Sequence, residues 1–198
     1  MKTTLYLNSI LWQSLVASFI IVCTSCSHYP KTDELSFRIQ QDKEASLEFL
    51  EKENDKQFLI NATEIALEEI KLGQLAQYIS QKQEVKALGK MMEKIHCQSL
   101  KNLIVIAKKK SIDIPTALST RAIEKYKKLS RQSKNDFDLI FCNTTVMNNE
   151  DAIASFEKVS IESNDLDMIQ WATITLPALR NNLNQAITCK RKARSAPW

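Results

Sequence analysis

Turn-forming residues are scarce in this chain, and their scarcity limits the folds that it can adopt. Its 198 residues include only two glycines and four prolines. An all-β protein needs a turn signal, usually rich in glycine or proline, about every 8 to 12 residues. Long helices need no such residues in their interiors, so the sequence predicts an all-α fold.

Apolar residues recur at steps of three and four along much of the chain, as they do in helices that pack in bundles. This spacing predicts four long helices. A short additional helix is predicted around residues 120–129. The long helices are predicted, in chain order, to begin at Asp55, to cover residues 84–110, to begin at Asp136, and to begin at Asn164 or Asp165.

The predicted helices would pair as two long hairpins, joined by a longer connection near residues 111–135, to form a ferritin-like four-helix bundle. Residues 28–54 are mostly polar and charged, and we interpret them as a tether that leads into a weakly amphipathic helix. The predicted organisation is a signal peptide over 1–25, a lipidated N-terminus and tether over 26–54, the bundle over 55–189 and a basic tail over 190–198.

The first 25 residues have the features of a cleavable export signal. Lys2 provides a short positive segment, an apolar run covers residues 15–22, and the small residues Thr24 and Ser25 come shortly after it. The apolar run is shorter than the roughly 20 residues that a membrane-spanning helix needs. A plain secretory signal and a retained membrane anchor are the two alternatives to a lipoprotein signal.

A cysteine directly after these small residues resembles the lipobox of bacterial lipoproteins, although Cys23 stands where Leu or Val is usual. The resemblance implies that Cys26 receives acyl chains, becomes the mature N-terminus and inserts into membrane lipid. Ser27, which follows the cysteine, is compatible with sorting to the outer membrane, facing the periplasm.

The charge balance argues against nucleic-acid binding. The chain has 27 Lys and Arg residues against 23 Asp and Glu residues, and four of the basic residues lie at the extreme C-terminus. The rest is near neutral, whereas a nucleic-acid-binding surface is a basic stripe on the fold. We interpret the tail as a solvated charged terminus, and contact with anionic lipid head groups is the alternative. The basic residues of the tail are Lys190, Arg191, Lys192 and Arg194.

Two titratable residues interrupt the apolar seams of the first two predicted helices. Glu69 lies on the first seam, and His96 lies on or beside the second, with Glu93 three residues earlier on the same face. A Glu-x-x-His pair and a Glu on a neighbouring helix form half of a carboxylate-bridged di-metal site. The other two helices offer Asn149 and Asn182 at the corresponding positions, and asparagine is a poor ligand for Fe or Mn.

We interpret Glu69, His96, Asn149 and Asn182 as a polar core layer whose members hydrogen-bond to one another, with no metal or cofactor. No complete catalytic motif is evident in the sequence, which favours a protein that is not an enzyme. Weak or vestigial binding of Fe, Mn or Zn, and redox catalysis, are the alternatives. The residues of the alternative site are Glu69, Glu93 and His96, with Glu150 or Glu157 opposite them.

Beyond Cys26, the predicted mature chain carries Cys97, Cys142 and Cys189, an odd number for an oxidising compartment. No C-x-x-C pair is present among them, so neither a zinc knuckle nor a thioredoxin-like site is indicated. Cys97 and Cys142 lie among apolar helical residues, a setting typical of buried thiols. The pairing of the three cysteines stays open.

Two groups of residues, one in each predicted hairpin, match the pattern of a known family. The first group is Phe58, Ala62, residues 69–76, Val85, Lys86, Met92 and His96, and the second is Phe137, Asp138, Phe141, Ile153, Phe156, Leu176, Pro177 and Leu179. Together they resemble an uncharacterised exported bacterial domain family with a ferritin-like helical bundle, described as membrane or outer-membrane proteins. The resemblance covers about residues 55–188 and implies that fold and a cell-envelope location, but no established reaction.

Only Glu69 and His96 match the polar positions of that family directly. In the family pattern a histidine is usual where this chain has Asn149 and Asn182, and an acid is common where it has Ile95. If family members use this layer to bind a metal, the resemblance implies that this chain has lost the site.

The leading functional interpretation is a lipid-anchored helical-bundle protein of the bacterial envelope. It would act by binding or structural contacts, with an envelope protein as its partner. The alternative is a periplasmic metal-binding or oxidoreductase protein of the ferritin-like kind, which would use the degenerate di-metal site described above.

Overall fold

The computed structural model describes residues 31–195, and all of the regular secondary structure in that part of the chain is α-helical. The all-α prediction is confirmed at the level of fold class. The predicted signal peptide over 1–25 and the predicted lipid attachment at Cys26 lie outside the described residues. The helices of the described part are α1 (Lys31–Ile79), α2 (Gln83–Lys109), α3 (Thr120–Ser130), α4 (Lys134–Glu162) and α5 (Leu166–Ser195).

Helix α1 begins well before Asp55, so the prediction that Asp55 caps the first long helix is wrong. Residues 31–54, which were expected to form a tether leading into a weak helix, are helical throughout. They contain no glycine or proline, and ion pairs between positions four apart, such as Glu48–Lys52 (2.7 Å), favour the helix further. The Asp55 carboxylate instead accepts a hydrogen bond from Ser163 Oγ (3.0 Å).

The chain divides into two units within α1. The first unit ends at Gln41, and the second begins at Asp42 and contains α2 to α5. The helical packing and all of the side-chain contacts described below belong to the second unit.

Helices α1 and α2 are joined by residues 80–82 and approach each other very closely at two glycines. A Cβ atom on Gly73 would lie 2.6 Å from the carbonyl oxygen of Gly89, and one on Gly89 would lie 2.6 Å from that of Gly73. Neither oxygen can move aside alone, because both belong to helical backbone. The only glycines of the chain therefore serve this helix crossing rather than a turn.

Helix α2 ends in a Schellman motif. The Ile112 amide donates a hydrogen bond to the Ala107 carbonyl (2.9 Å). The Ser111 amide donates to the Lys108 carbonyl (3.2 Å), and Ser111 has a positive φ of 54°, a conformation in which glycine is usual. The following connection leads to α3, which confirms the predicted short helix and is capped by the Ser119 hydroxyl.

The N-termini of α4 and α5 are fixed by side-chain caps. The Ser133 hydroxyl accepts a hydrogen bond from the Asp136 amide (3.2 Å), so α4 is capped three residues earlier than predicted. Of the two predicted starts of α5, Asn164 and Asp165, the cap is Asp165, since its carboxylate accepts hydrogen bonds from the amides of Asp167 (3.0 Å) and Met168 (3.2 Å). Serine and aspartate are both strong caps, which is why sequence alone misplaced the first of these boundaries.

Two apolar clusters form the core of the second unit. The first cluster lies toward the α1–α2 connection and the second toward the α4–α5 connection. The first consists of Leu72, Leu75, Ala76, Val85, Leu88, Met92, Leu129, Phe137, Phe141, Cys142, Val146, Ala186 and Cys189. The second consists of Leu59, Ala66, Leu103, Ala152, Phe156, Val159, Met168, Trp171, Ala172, Leu176 and Leu179.

The steps of three and four predict an apolar seam of α1 through Phe58, Ala62, Ile65, Leu72, Ala76 and Ile79. Leu72 and Ala76 are buried, as predicted. In the first half of α1, Leu59 and Ala66 are fully buried, whereas Phe58 and Ile65 are only partly buried. One residue corresponds to a rotation of about 100° around an α-helix, so the buried face of the first half of α1 is rotated relative to the predicted seam.

Helix α5 continues to Ser195, so the first residues of the predicted basic tail, from residue 190, belong to this helix. Lys192 Nζ lies 3.9 Å from the Glu84 carboxylate of α2, which is a solvent-exposed pair. Pro177 lies inside α5. Within residues 31–195, no helix combines the length and the apolar character needed to cross a membrane.

Candidate functional site

Each of the four long helices carries at least one buried polar residue between its contributions to the two apolar clusters. Glu69 of α1, for example, lies between Ala66 of the second cluster and Leu72 of the first. All four residues that the sequence singled out as a polar layer are buried, with side chains at most 9% exposed. These residues are Glu69 in α1, His96 in α2, Asn149 in α4 and Asn182 in α5.

Glu69 is a buried carboxyl group with one bonded and one unbonded oxygen. Oε1 accepts a hydrogen bond from the Asn148 side-chain amide of α4, while Oε2 has no hydrogen-bond partner in the described part of the chain. Burial raises the pKa of Glu69 to about 7, against the lowering effect of the Asn148 hydrogen bond and with a further increase from Glu68. Lys125 of α3, which pairs with Glu68, lowers the pKa from outside the core.

His96 is a neutral histidine. Burial lowers its pKa to about 4, and among the described residues no carboxylate lies close enough to form an ion pair that would oppose this effect. It forms no hydrogen bond with any other described residue. The pairing of Glu69 with His96 that the sequence predicted is therefore absent from the described part of the chain.

The two asparagines do not complete the predicted network either. The Asn149 amide donates to the Thr145 backbone carbonyl of its own helix (2.8 Å). Asn182 Oδ1 is buried and has no hydrogen-bond partner within residues 31–195. The prediction that the four layer residues satisfy one another is wrong, because their side chains bond to neighbours outside the layer or to none.

His96 and Asn182 both line a small cavity, which we call the His96 cavity, with a volume of about 100 Å³. Its walls are mostly apolar and include Phe58 and Phe156, and Thr175 adds a hydroxyl group. An apolar pocket with a few polar groups is the usual composition of a small-molecule site. A neutral imidazole and a free amide oxygen suit an uncharged ligand that carries a hydrogen-bond donor.

Glu93 does not join Glu69 and His96. Its carboxylate accepts hydrogen bonds from the side-chain amides of Gln74 and Gln77 in α1 (both 2.8 Å), and these bonds lower the pKa of Glu93. Within residues 31–195, no three His, Cys, Asp or Glu side chains lie close enough together to hold a metal ion. The ligand set of the alternative interpretation is therefore not assembled in this part of the chain.

The acidic residues proposed to lie opposite that ligand set also lie outside the buried layer. Glu150 is exposed on α4. The Glu157 carboxylate pairs with the Arg180 guanidinium of α5 (2.8 Å), and both side chains are about half exposed. Neither residue contributes to the buried layer.

Sequence reasoning missed another buried polar group, which lies near the α1–α2 connection. Asp138 of α4 is buried; its Oδ1 has no hydrogen-bond partner among the described residues, and its Oδ2 lies 4.0 Å from Lys82 Nζ. One turn later on the same helix, Cys142 Sγ lies 2.7 Å from Cys189 Sγ of α5. The spacing of four between Asp138 and Cys142 was the available signal, since it places both on one helical face.

These features define an all-helical domain with a polar layer between two apolar clusters and, among residues 31–195, no assembled metal site. A family model described as "Domain of unknown function (DUF4142)" matches residues 40–188, and the chain belongs to this family. Membership of an uncharacterised domain family, which the sequence predicted, is thereby confirmed. No curated protein and no solved structure matches the chain.

Proposed function

We propose that this protein is a lipid-anchored helical-bundle protein of the bacterial cell envelope that acts by non-covalent binding. The observation that carries the anchoring is the order of residues before the helices: a positive residue, an apolar run, the small residues Thr24 and Ser25, and then Cys26. Acylated Cys26 would hold the protein in membrane lipid, in the outer membrane and facing the periplasm.

The proposed arrangement of the bundle is ferritin-like, with α1–α2 and α4–α5 as two hairpins and α3 in the connection between them. Contacts between the hairpins support it. Glu69 of α1 bonds to Asn148 of α4, and the Thr145 hydroxyl of α4 contacts Met92 Sδ of α2 (3.5 Å). In this arrangement the polar layer lies in the middle of the bundle, where ferritin-like proteins have their sites.

Binding rather than catalysis is supported by the chemistry of the layer. His96 is neutral and has no carboxylate to orient it, and it has no described nucleophile to activate by a hydrogen bond. The His96 cavity has mostly apolar walls, an imidazole and an amide oxygen, which together suit a small uncharged molecule. An envelope protein is the proposed macromolecular partner. The surface that supports this proposal is on α1, where at least half of each of the apolar residues Leu47, Phe49 and Leu50 is exposed to solvent.

Metabolic labelling with an acyl analogue tests the anchoring. Wild type should incorporate the label and fractionate with membranes. Cys26→Ser should lose both properties, because serine offers no thiol to acylate. Cys97→Ser is the matched control, since it removes an exposed cysteine outside the lipobox but keeps the acceptor, and it should be labelled like wild type. Equal labelling of wild type and Cys26→Ser would contradict the proposal.

A further inference from the structure

Cys142 and Cys189 bring two thiols together across the α4–α5 interface. Their sulfur atoms are 2.7 Å apart, and both residues are buried in the first apolar cluster. The third described cysteine, Cys97, is exposed and takes no part in this contact. We propose that Cys142 and Cys189 form a disulfide that covalently joins α4 to α5.

The surroundings of the pair give an oxidant access from one side. Cys189 lines an open groove of about 330 Å³ between α2 and α5, whose walls include Leu88, Met91 and Lys192. Cys142 lies deeper, fully enclosed and one turn from the buried Asp138. Cys189 is therefore the sulfur that a reagent entering the groove meets first.

The hydrogen bond between the two thiols makes them chemically unequal. It lowers the pKa of Cys189 and raises that of Cys142, and burial raises the pKa of Cys142 further. The thiolate is the nucleophile in thiol–disulfide exchange. Its accessibility and its lowered pKa both make Cys189 the thiol that reacts first with an oxidant.

The oxidant is of the disulfide class, either a small disulfide such as oxidised glutathione or a protein disulfide oxidant. The Cys189 thiolate attacks one sulfur of the oxidant, its S–S bond breaks, and one thiolate leaves. Cys142 then gives up its proton and attacks Cys189 Sγ, which releases the second thiolate. The two protein thiols lose two electrons and two protons, and the oxidant gains them as two thiols.

The cross-link would act on stability through the unfolded chain. It closes a loop between positions 47 apart in the sequence, which removes conformations from the unfolded ensemble. Persistence of the bond in the cell rests on the proposed export to an oxidising compartment. Formation of the bond in purified protein does not depend on export. Failure of the anchoring experiment and failure of this one are therefore distinguishable.

The test uses the full chain, extracted in detergent and incubated with oxidised glutathione. Peptide mapping without reduction should recover a linked pair containing Cys142 and Cys189, while Cys97 should remain free to alkylation or carry only glutathione. Reduction of the oxidised wild type should lower Tm by roughly 5–15 °C. In Cys142→Ser and Cys189→Ser, reduction should leave Tm unchanged, whereas Cys97→Ser should behave as wild type.

Recovery of both Cys142 and Cys189 as free thiols after oxidation, or in a bond to Cys97, would overturn the proposal. The mapping and the effect of reduction are both measured on wild type, so the conclusion does not depend on whether a serine variant folds. A linked pair whose reduction leaves Tm unchanged would overturn the stabilising role.

Discussion

Glu69 occupies an unfavourable environment for a charge. Its side chain is buried between two apolar clusters, one carboxylate oxygen has no partner, and its pKa is raised from 4.5 to about 7. A carboxyl group with a raised pKa binds its proton more tightly in the folded than in the unfolded state. Its contribution to stability is therefore complete below pH 4.5 and is lost as the pH rises to about 7.

Glu69→Gln should abolish this loss, because glutamine keeps an acceptor for Asn148 but cannot ionise. At about pH 8 the free energy of unfolding should exceed that of wild type by about 3 kcal/mol, and the difference should be small at pH 4.5. Urea denaturation of the two proteins across this range measures it. His96 contributes with the opposite sign, losing stability as the pH falls from 6.5 to about 4, but both proteins retain His96, so its contribution cancels.

Glu124→Gln is the matched control for that series, because Glu124 lies on the exposed face of α3. The same chemical change there should leave the pH dependence of wild type intact. A Glu69→Gln curve that stayed parallel to wild type would show that Glu69 is not titrating in the core.

Ser111 has an unusual backbone conformation. It has φ of 54° at the C-terminal turn of α2, and a residue with a Cβ atom is strained there. Ser111→Gly should increase the free energy of unfolding by about 1 kcal/mol, since the side chain is exposed and its removal breaks no described contact. Thermal or urea unfolding measures the change, and Ser111→Ala, which keeps the Cβ atom, should give no such increase.

At the scale of elements, the α1–α2 pair depends on the absence of two side chains. Gly73→Ala or Gly89→Ala should lower the free energy of unfolding by about 1–3 kcal/mol, because the new methyl group meets the facing helix backbone. This loss should occur although alanine is the better helix former by about 1 kcal/mol. Urea denaturation measures the effect.

A control for the glycine variants lies on the exposed side of the same helix. Lys90→Ala, next to Gly89, should change stability by less than about 0.5 kcal/mol. If Gly73→Ala matched wild type, the close approach of the two helices would be contradicted.

The boundaries of elements were only partly predictable. The scarcity of glycine and proline correctly predicted long helices, and Asp165, one of the two predicted starts of α5, is its cap. The start of α1 did not follow, because ion pairs and helix-forming residues extend the helix through a segment with a weak apolar pattern. The cap of α4 was misassigned to Asp136 because Ser133, three residues earlier, is an equally good cap.

At the scale of the whole molecule, the polar layer separates two apolar clusters of the core. The sequence identified the four layer residues, because a polar side chain on an apolar seam must be buried when the helix packs. It did not identify their partners. The hydrogen bond between Asn148 and Glu69 depends on how α4 is rotated against α1. Packing the two helices with an offset of one residue would bring different side chains together.

The sequence by itself determined the fold class and the burial of Glu69, His96, Asn149 and Asn182, since these depend on local composition and periodicity. It also indicated an uncharacterised family, through the resemblance of particular residues in the two hairpins. Only the tertiary structure decided that Glu93 lies apart from His96 and that Cys142 meets Cys189. Contacts between residues far apart in sequence depend on the offset and rotation of packed helices. Spacing within one helix carries no information about either quantity.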